Sequence, residues 1–495
     1  MSIGPSVATP NDPSVEAERE QELRKRCRGR RPLRARLESW QVELLEEPRD
    51  LLEAIGAGEA PVNVIDPGPI ERNGGELTDA ASSVGVDLRI FFARKANKCL
   101  SLVDEAHRLG YGLDVASALE LEEAASRGVK GADLVVTAAV KPEPLLRLST
   151  ALGATIVVDN RDELRRLGSL LAGGDESARV GIRLAPELGE NVLPTRFGVG
   201  PSGVVELAAE IKAAPGMRLE GLHFHLDGYS AVHRVNALGQ AIELHDALAP
   251  DHPELGFIDI GGGIPMSYLV ARREWDEFWL HHRAAVLGDA DPLTFEGHRL
   301  GLAARGTDVH GEPSVYPYWQ EPVRGEWLRG LLESEVAAGG SGPAQLARLL
   351  AERGIELRCE PGRSLLDGCG MTVAIVHFVK RRADGRALIG LGMNRTQCRS
   401  TSDDFMVDPI LLPTGEGPRS RALDAFLVGA YCIERELITL RELRFPEGVA
   451  VGDLVVIPNT AGYLMHILES SSHRMPLAPN LVNGSEALYP DPVDG

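Results

Sequence analysis

Arg89-Ile-Phe-Phe-Ala-Arg-Lys95 is an apolar, strand-like run that ends on a lysine and turns at once into the polar Ala96-Asn97-Lys98. It is the first of eight comparable runs, the others being Gly112–Ala116, Asp133–Thr137, Thr155–Asp159, Arg179–Leu184, Leu219–Leu226, Gly256–Gly261 and Ile355–Glu360. Helix-period stretches fill most of the gaps, among them Ser101–Leu109, Ala118–Arg127, Glu143–Leu152, Asp162–Leu171 and Val204–Ala213. Strands alternating with helices require parallel pairing, and eight of them predict a closed (β/α)8 barrel of the TIM type, an α/β fold. An open doubly wound sheet is the alternative. It would more often carry a glycine-rich fingerprint after its first strand, and none follows Lys95.

The rhythm breaks between Ala271 and about Ser341, a stretch too long for one crossover helix. It holds four of the five tryptophans (Trp275, Trp279, Trp319, Trp327), with His281, His282, His298, His310, Tyr316 and Tyr318. An insertion after the seventh strand would rise from the barrel face that carries active sites, as a lid or substrate wall. Packing or a dimer contact is the equal alternative. From Ser364 onward, Met371–Lys380, Ala387–Leu391, Ala422–Val428 and Leu454–Ile457 alternate with Gly/Pro turns and predict a C-terminal, mainly β domain. The early strand Pro61–Asp66 is expected to join it. The expected division is a polar N-terminal extension over 1–48, a barrel over 85–362 with the insertion at about 271–341, and a β domain from 49–84 and 363–495.

At 495 residues, 43% hydrophobic and 25% charged, the chain has the composition of a soluble globular protein with room for two domains. It has no apolar run of about eighteen residues, so no membrane partner is expected. Met1 to Glu20 is polar and lacks the apolar core of a secretory signal. The net charge of −20 repels phosphate backbones and argues against nucleic acid. Arg24 to Arg36 runs against that trend; a solvated arm or dimer contact is the plain reading, a polyanion site the other. The six cysteines (Cys27, Cys99, Cys359, Cys369, Cys398, Cys432) lie far apart with no CxxC pair, which points to a reducing, cytoplasmic setting. The histidines show no HExxH spacing, and no metal is expected.

Several residues stand where chemistry would be done. Lys95 puts an amine at the open end of an apolar strand, and partial burial beside Phe91 and Phe92 would ease its deprotonation. Alone, such a lysine reads as surface charge. Ser117 and Glu120 have the spacing of a helix capping box. His223 and His225 share one face of a strand. Gly261-Gly262-Gly263 after the seventh strand lets backbone N–H groups approach a phosphate, or is merely a flexible turn. Glu360-Pro-Gly-Arg363 closes the eighth strand with an acid and a base.

In this order, with Gly429-Ala-Tyr-Cys-Ile-Glu-Arg-Glu436 and Asn459-Thr-Ala-Gly-Tyr463, these motifs resemble those of the fold-type III pyridoxal phosphate enzymes, specifically the diaminopimelate/ornithine decarboxylase family. The resemblance covers roughly residues 60 to 470 and looks like a divergent bacterial subgroup with a long insertion. It implies an alanine racemase-like barrel with pyridoxal 5'-phosphate as cofactor. Lys95 would bind the cofactor aldehyde, Asp114 would shape the barrel mouth, and His225 would stack on the pyridine ring, with His223 a buried structural histidine. Gly261, Gly262, Gly263, Arg363 and Tyr463 would serve the phosphate. The family's usual His-x-Gly-Ser is here His225-Leu-Asp-Gly-Tyr-Ser230, so Ser230 or the Gly228 backbone would replace the serine contact. Glu360 would pair with the pyridine nitrogen and keep it protonated, a strong electron sink that suits decarboxylation.

The resemblance further implies a homodimer with shared active sites, in which Cys432 acts as general acid on the partner's cofactor. The family's acid after that cysteine is replaced by Ile433, leaving Glu434, Glu436 and Arg399 (or Arg395) as candidate substrate contacts. The expected function is decarboxylation of a small-molecule amino acid, disfavouring a plain diamine-forming substrate and admitting a bulkier or carrier-linked one of secondary metabolism. A racemase or epimerase using Lys95 and Cys432 on opposite faces is the alternative. A non-catalytic, cofactor-binding regulatory homologue is the third, and the retention of Lys95, His225, Glu360, Arg363, Cys432 and Tyr463 argues against it.

Overall fold

The computed structural model describes residues 13–56, 58–172, 174, 176–189, 192–337, 342–400 and 405–495. The chain divides into two compact units, one of Pro67–Met266 with Glu321–Leu366, the other of Met1–Asp66, Ser267–Gln320 and Asp367–Gly495.

The first unit is the barrel. Its strands are β1 (Leu88–Ala93), β2 (Gly112–Val115), β3 (Leu134–Val136), β4 (Thr155–Val158), β5 (Ala178–Arg183), β6 (Met217–His223), β7 (Phe257–Asp259) and β8 (Glu356–Cys359). All pair in parallel, and β8 closes the ring by pairing with both β7 and β1. Five lie inside their predicted runs, and β1, β5 and β6 overlap theirs but begin one or two residues earlier, so the expected (β/α)8 barrel is borne out. β2, β3 and β4 are near-continuous apolar stretches rather than alternating ones, because helices cover the outside while side chains fill the inside. Phe91, Val135 and Val157 form part of that filling. Gly112 and Gly221 make room for it: a Cβ at either would collide with the rings of Phe91 and Phe257 respectively.

Helices follow most strands and begin on side-chain caps. Ser117 Oγ accepts from Glu120 N ahead of the helix Ala118–Ser126, and Glu120 Oε2 accepts from Ala116 N, so both residues cap. Asn160 caps Arg161–Leu171, and Ser230 caps Ala231–Leu248 through His233 N at 3.3 Å.

The second unit holds a ten-stranded sheet built around the long strand Gly370–Arg381. That strand pairs antiparallel with Ala387–Leu391, Leu454–Pro458 and Val62–Ile65, so the early strand does join the C-terminal β region. Leu23, Val42, Leu45, Leu51 and Ile55, from the N-terminal helices, are buried in its core with Val62, Met371 and Val456. The basic run is paired within this unit: Arg26 with Glu447, Arg30 with Glu442, Arg34 with Glu274 and Arg36 with Asp367. Residues of 267–320 add the helix Arg272–Leu287 and an aromatic cluster in which Tyr268 meets Tyr316 and Tyr318, and Trp275 meets Trp279. No described helix is long and apolar enough to cross a membrane. All six cysteines are free thiols, and only Cys432 is exposed.

Candidate active site

At the carboxyl end of β1 the chain enters a single 3-10 turn, Arg94–Ala96, that carries Lys95. The buried Arg94 guanidinium sets this turn, donating to Asn97 O at 2.5 Å, Lys98 O at 2.6 Å and Glu123 Oε2 at 2.8 Å. Ala93 N reaches Pro361 O, which ties the turn to the segment after β8. Lys95 is about one-third exposed, and its Nζ donates to Asp114 Oδ2 at 2.7 Å. Asp114, on β2, is buried and also accepts from Thr137 Oγ1 beyond β3. An amine at a barrel mouth, half-shielded and aimed by a buried carboxylate, suits capture of an aldehyde.

Three side chains meet beneath that mouth. His223 ends β6, Asp259 ends β7 and Glu360 follows β8; all are buried, and their ligating atoms lie within 4.8 Å of one another. Burial, and then the charge of Arg183, pushes the His223 imidazole well below its usual pKa. It is therefore neutral and donates through Nε2–H to Glu360 Oε1, 3.1 Å away. Burial, then Glu360, pushes the Asp259 carboxyl well above its usual range, while Gly261 N–H and Arg358 pull the other way. His225 lies two residues beyond His223 and is partly exposed, its ring edge-on to Phe197 at 5.9 Å. Burial and then Lys95 push its imidazole down to about 4.

The glycine turn is locked to this group. Gly261 N donates to Asp259 Oδ1 at 2.8 Å, and Glu360 N donates to Gly261 O at 2.9 Å. Gly261 and Gly263 have φ of +64° and +75°, a region that favours glycine. A Cβ on Gly262 would lie 2.8 Å from Glu360 O. Beneath the turn the buried Arg234 guanidinium donates to Gly262 O at 3.1 Å, Gly228 O at 2.9 Å and Leu226 O at 3.2 Å. Ser230 is used as a helix cap, as above. Arg363 is half-buried just after β8.

The remaining candidates belong to the β unit. Cys432 is exposed on a tight turn in which Ile433 N bonds Tyr431 O at 2.8 Å and Glu436 N bonds Ile433 O at 3.0 Å. Tyr431 steadies that turn, its hydroxyl donating to Ser470 O and its ring stacking on His473. Glu434 is exposed. Glu436 is buried, accepts from Arg395 N at 2.7 Å, and has its carboxyl pushed up by burial. Arg399 donates to Leu437 O at 2.8 Å. Tyr463 has φ +71° and Asn459 φ +58°, so two non-glycine residues of this short segment hold left-handed backbone.

Sequence reasoning brought Lys95, Asp114, His225, Gly261–Gly263, Glu360 and Arg363 to the carboxyl ends of the barrel strands, where the structure has them. It set His223 aside as structural and missed Asp259, Thr137, Arg94 and Arg234. Asp259 carried a signal, lying two residues before Gly261 at the end of its strand, and Thr137 only closed a predicted run. The arginines carried none.

A closed parallel barrel with an amine, a buried acid and a glycine turn at one mouth defines an alanine racemase-like, pyridoxal phosphate-binding fold. The residues fit that cofactor: the amine for its aldehyde, the turn that no Cβ could enter for its phosphate, and the shielded acid for its ring nitrogen. A family model described as pyridoxal-dependent decarboxylase, pyridoxal binding domain, matches residues 75–290. The uncharacterized protein y4yA of Sinorhizobium fredii is 31% identical over 442 residues, spanning 88% of this chain and 91% of that one. Diaminopimelate decarboxylase of Actinosynnema pretiosum subsp. auranticum is 27% identical over 487 residues, 94% of this chain and 91% of the other. The crystal structure of diaminopimelate decarboxylase from Helicobacter pylori complexed with L-lysine matches the fold with a TM-score of 0.62 at 18% identity, covering 87% of this chain and 93% of that one. The chain belongs to the fold-type III pyridoxal phosphate-dependent decarboxylase family, and pyridoxal phosphate is its cofactor.

Proposed function

We propose that the protein decarboxylates an amino acid as a homodimer with shared active sites. The observation that carries this reading is the buried Glu360 carboxylate held by a neutral His223 donor at 3.1 Å. A carboxylate fixed there keeps a pyridine nitrogen protonated, whereas a racemase is served by a weaker electron sink. When bound, pyridoxal phosphate supplies the sink for the electron pair released as CO₂ leaves. Lys95 would be the amine that holds the cofactor aldehyde. The glycine turn Gly261–Gly263, through the N–H groups of Gly262 and Gly263, would hold the phosphate with Arg363 and Tyr463, and His225 would serve the ring. Cys432 of one copy gives a proton to the carbon that has lost its carboxylate in the other, so one proton replaces one CO₂.

Two features support the shared site. Leu119, Val140, Leu193 and Val232 all lie in the loops or first helical turns that follow barrel strands, and they are 63%, 78%, 92% and 68% exposed. Exposed apolar side chains after four barrel strands are consistent with an interaction face on that side of the barrel. Cys432 and its 47% exposed neighbour Ile433 offer a matching apolar tip.

Ile433 gives no charge for a distal ammonium, so the substrate is not a plain diamine precursor such as ornithine. Arg399 and Glu434 are the groups proposed to meet its far end, with Glu436 bracing the loop against Arg395. A bulkier or carrier-linked amino acid fits this loss best. The test is a broad amino-acid screen that follows the cofactor absorbance, CO₂ and chirality. CO₂ and an amine are expected with one dominant substrate. A racemised amino acid without CO₂ would make the protein a racemase, and a dominant response to ornithine would refute the Ile433 argument. Borohydride reduction is expected to fix the cofactor on the Lys95 peptide and to fix none in Lys95→Ala.

A further inference from the structure

The barrel mouth encloses one more carboxyl group than the reading above uses. Asp259 is fully buried. Its Oδ1 accepts from Gly261 N, while its Oδ2 is shut away with no hydrogen-bond partner among the described residues. The neighbouring acid, Glu360, lies with His223 inside the same 4.8 Å cluster.

The charges that face Asp259 do not neutralise it. On β6 the facing group is His223, already neutral. On β8 Arg358 is beside it in register, but that guanidinium pairs with Glu356 Oε1 at 2.5 Å and lies 3.6 Å from the Phe257 ring centroid. Cys359 next to it is a buried thiol whose own ionisation is pushed well up by burial. On β2 Asp114 is negative and answered by Lys95. On β5 Arg183 is held by Asp159 at 3.1 Å. Two buried carboxyl groups this close do not both ionise, because each charge raises the cost of the other and an ionised oxygen without a donor is costly to bury.

We propose that Asp259 is kept as a neutral carboxylic acid, a positioning residue that leaves Glu360 the single buried charge of the group and couples it to the glycine turn. Gly261 is the joint. Its N–H is held by Asp259 and its carbonyl by Glu360 N, so the partner of the cofactor ring and the cradle of the phosphate move as one piece. A proton on Asp259 removes the uncompensated charge from the orphaned oxygen. A second negative charge there would instead push Glu360 toward taking a proton itself, and it would then no longer hold the one on the cofactor ring. The inference concerns the resting protein and stands whether the enzyme decarboxylates or racemises.

The test is infrared spectroscopy of the full-length holoenzyme in heavy water near neutral pH. Asp259→Asn, which matches the side chain in shape, is expected to remove a protonated-carboxyl C=O band. Loss of ionised-carboxylate bands alone would overturn the proposal. Cofactor affinity supplies the second readout. Asp259→Ala removes the acceptor for Gly261 N–H and is expected to weaken pyridoxal phosphate binding about tenfold, the scale of one lost hydrogen bond. Asp259→Asn keeps a neutral acceptor and is expected to recover most of that loss. An Asn variant as weak as the Ala variant would show that the negative charge itself is needed, and the proposal would fall.

Discussion

His223 Nε2 stands 3.1 Å from Glu360 Oε1, and both side chains are closed to solvent. The pair joins β6 to the end of β8 directly beneath the barrel mouth. An imidazole that burial keeps neutral can serve Glu360 only as a donor, so removing it leaves a buried carboxylate oxygen unanswered. His223→Phe is expected to lower the free energy of unfolding by about 1–3 kcal/mol. His223→Asn, which can still donate, should lose less. Denaturant unfolding of the cofactor-free full chain measures both, and equal losses would mean that the contact contributes packing alone.

The barrel was legible because eight strand-like runs recur with helix-period stretches between most of them, the alternation that parallel pairing requires. In the β unit the long strands were equally plain. Ile410–Leu412 and Leu443–Phe445 were not, since three residues are too few for a period to register. The stretch 271–341 carried no local mark of where one unit gives way to the other. Its later part stands with the barrel through the helix Arg324–Glu333, whose Arg324 pairs with Glu76 at 2.7 Å, a contact 248 positions away in sequence. The candidate site followed the same rule. Lys95, Gly261–Gly263 and Glu360 announced themselves because strand ends of a barrel share a face. Arg94 and Arg234 shape the same mouth through backbone carbonyls, and a guanidinium that reads carbonyls leaves no pattern of partner residues in the sequence.

Arg234 is the largest of these silent supports. Its guanidinium satisfies carbonyls of Leu226, Gly228 and Gly262, and burial pushes its pKa down to about 10 without removing its charge at neutral pH. Arg234→Met would leave two buried acceptors, Leu226 O and Gly262 O, and the part-buried Gly228 O without this donor, each buried one worth about 1 kcal/mol or more. The expected result is a lower melting temperature together with weaker cofactor binding, because two of these carbonyls belong to the glycine turn proposed to hold the phosphate and to the loop beside it. Gly263→Ala should act alike: φ is +75°, and the new methyl would meet that guanidinium. Calorimetry with and without pyridoxal phosphate separates the two effects. An Arg234→Met protein with unchanged cofactor affinity would contradict this account of the turn.

The histidines of the mouth set a pH dependence whose sign is fixed. An unfolded imidazole titrates near 6.5; folded His225 titrates at about 4. Between those values the unfolded chain binds the extra proton, so the stabilisation due to His225 is complete above pH about 6.5 and lost as pH falls toward about 4. Glu120, Glu163 and Glu436, whose carboxyl groups burial pushes upward, act in the opposite sense over part of that window. The histidine contribution is therefore read as a difference between wild type and His225→Gln. Wild type is expected to lose stability faster than the variant on acidification from pH about 6.5, by chemical denaturation of the cofactor-free full chain. Parallel curves would mean that His225 keeps its ordinary pKa.

The exposed apolar side chains after the barrel strands make the shared site testable without touching the site itself. Val140 and Leu193 are 78% and 92% exposed, so neither holds the monomer together. Substitution at such positions ordinarily changes stability by no more than about 0.5 kcal/mol. A charge there is nonetheless costly if the surface is covered by a second copy, since it would be buried without a partner. Val140→Glu with Leu193→Arg is expected to leave the melting temperature of the cofactor-free chain nearly unchanged. The same pair of substitutions should shift sedimentation from dimer toward monomer. Cofactor capture by Lys95 is not proposed to need a residue of the second copy and should survive in the monomer, whereas CO₂ release should fall in step with the dimer fraction, because Cys432 would have to come from the other copy. A monomeric variant with full turnover would place the proton donor within the same chain and end the shared-site reading.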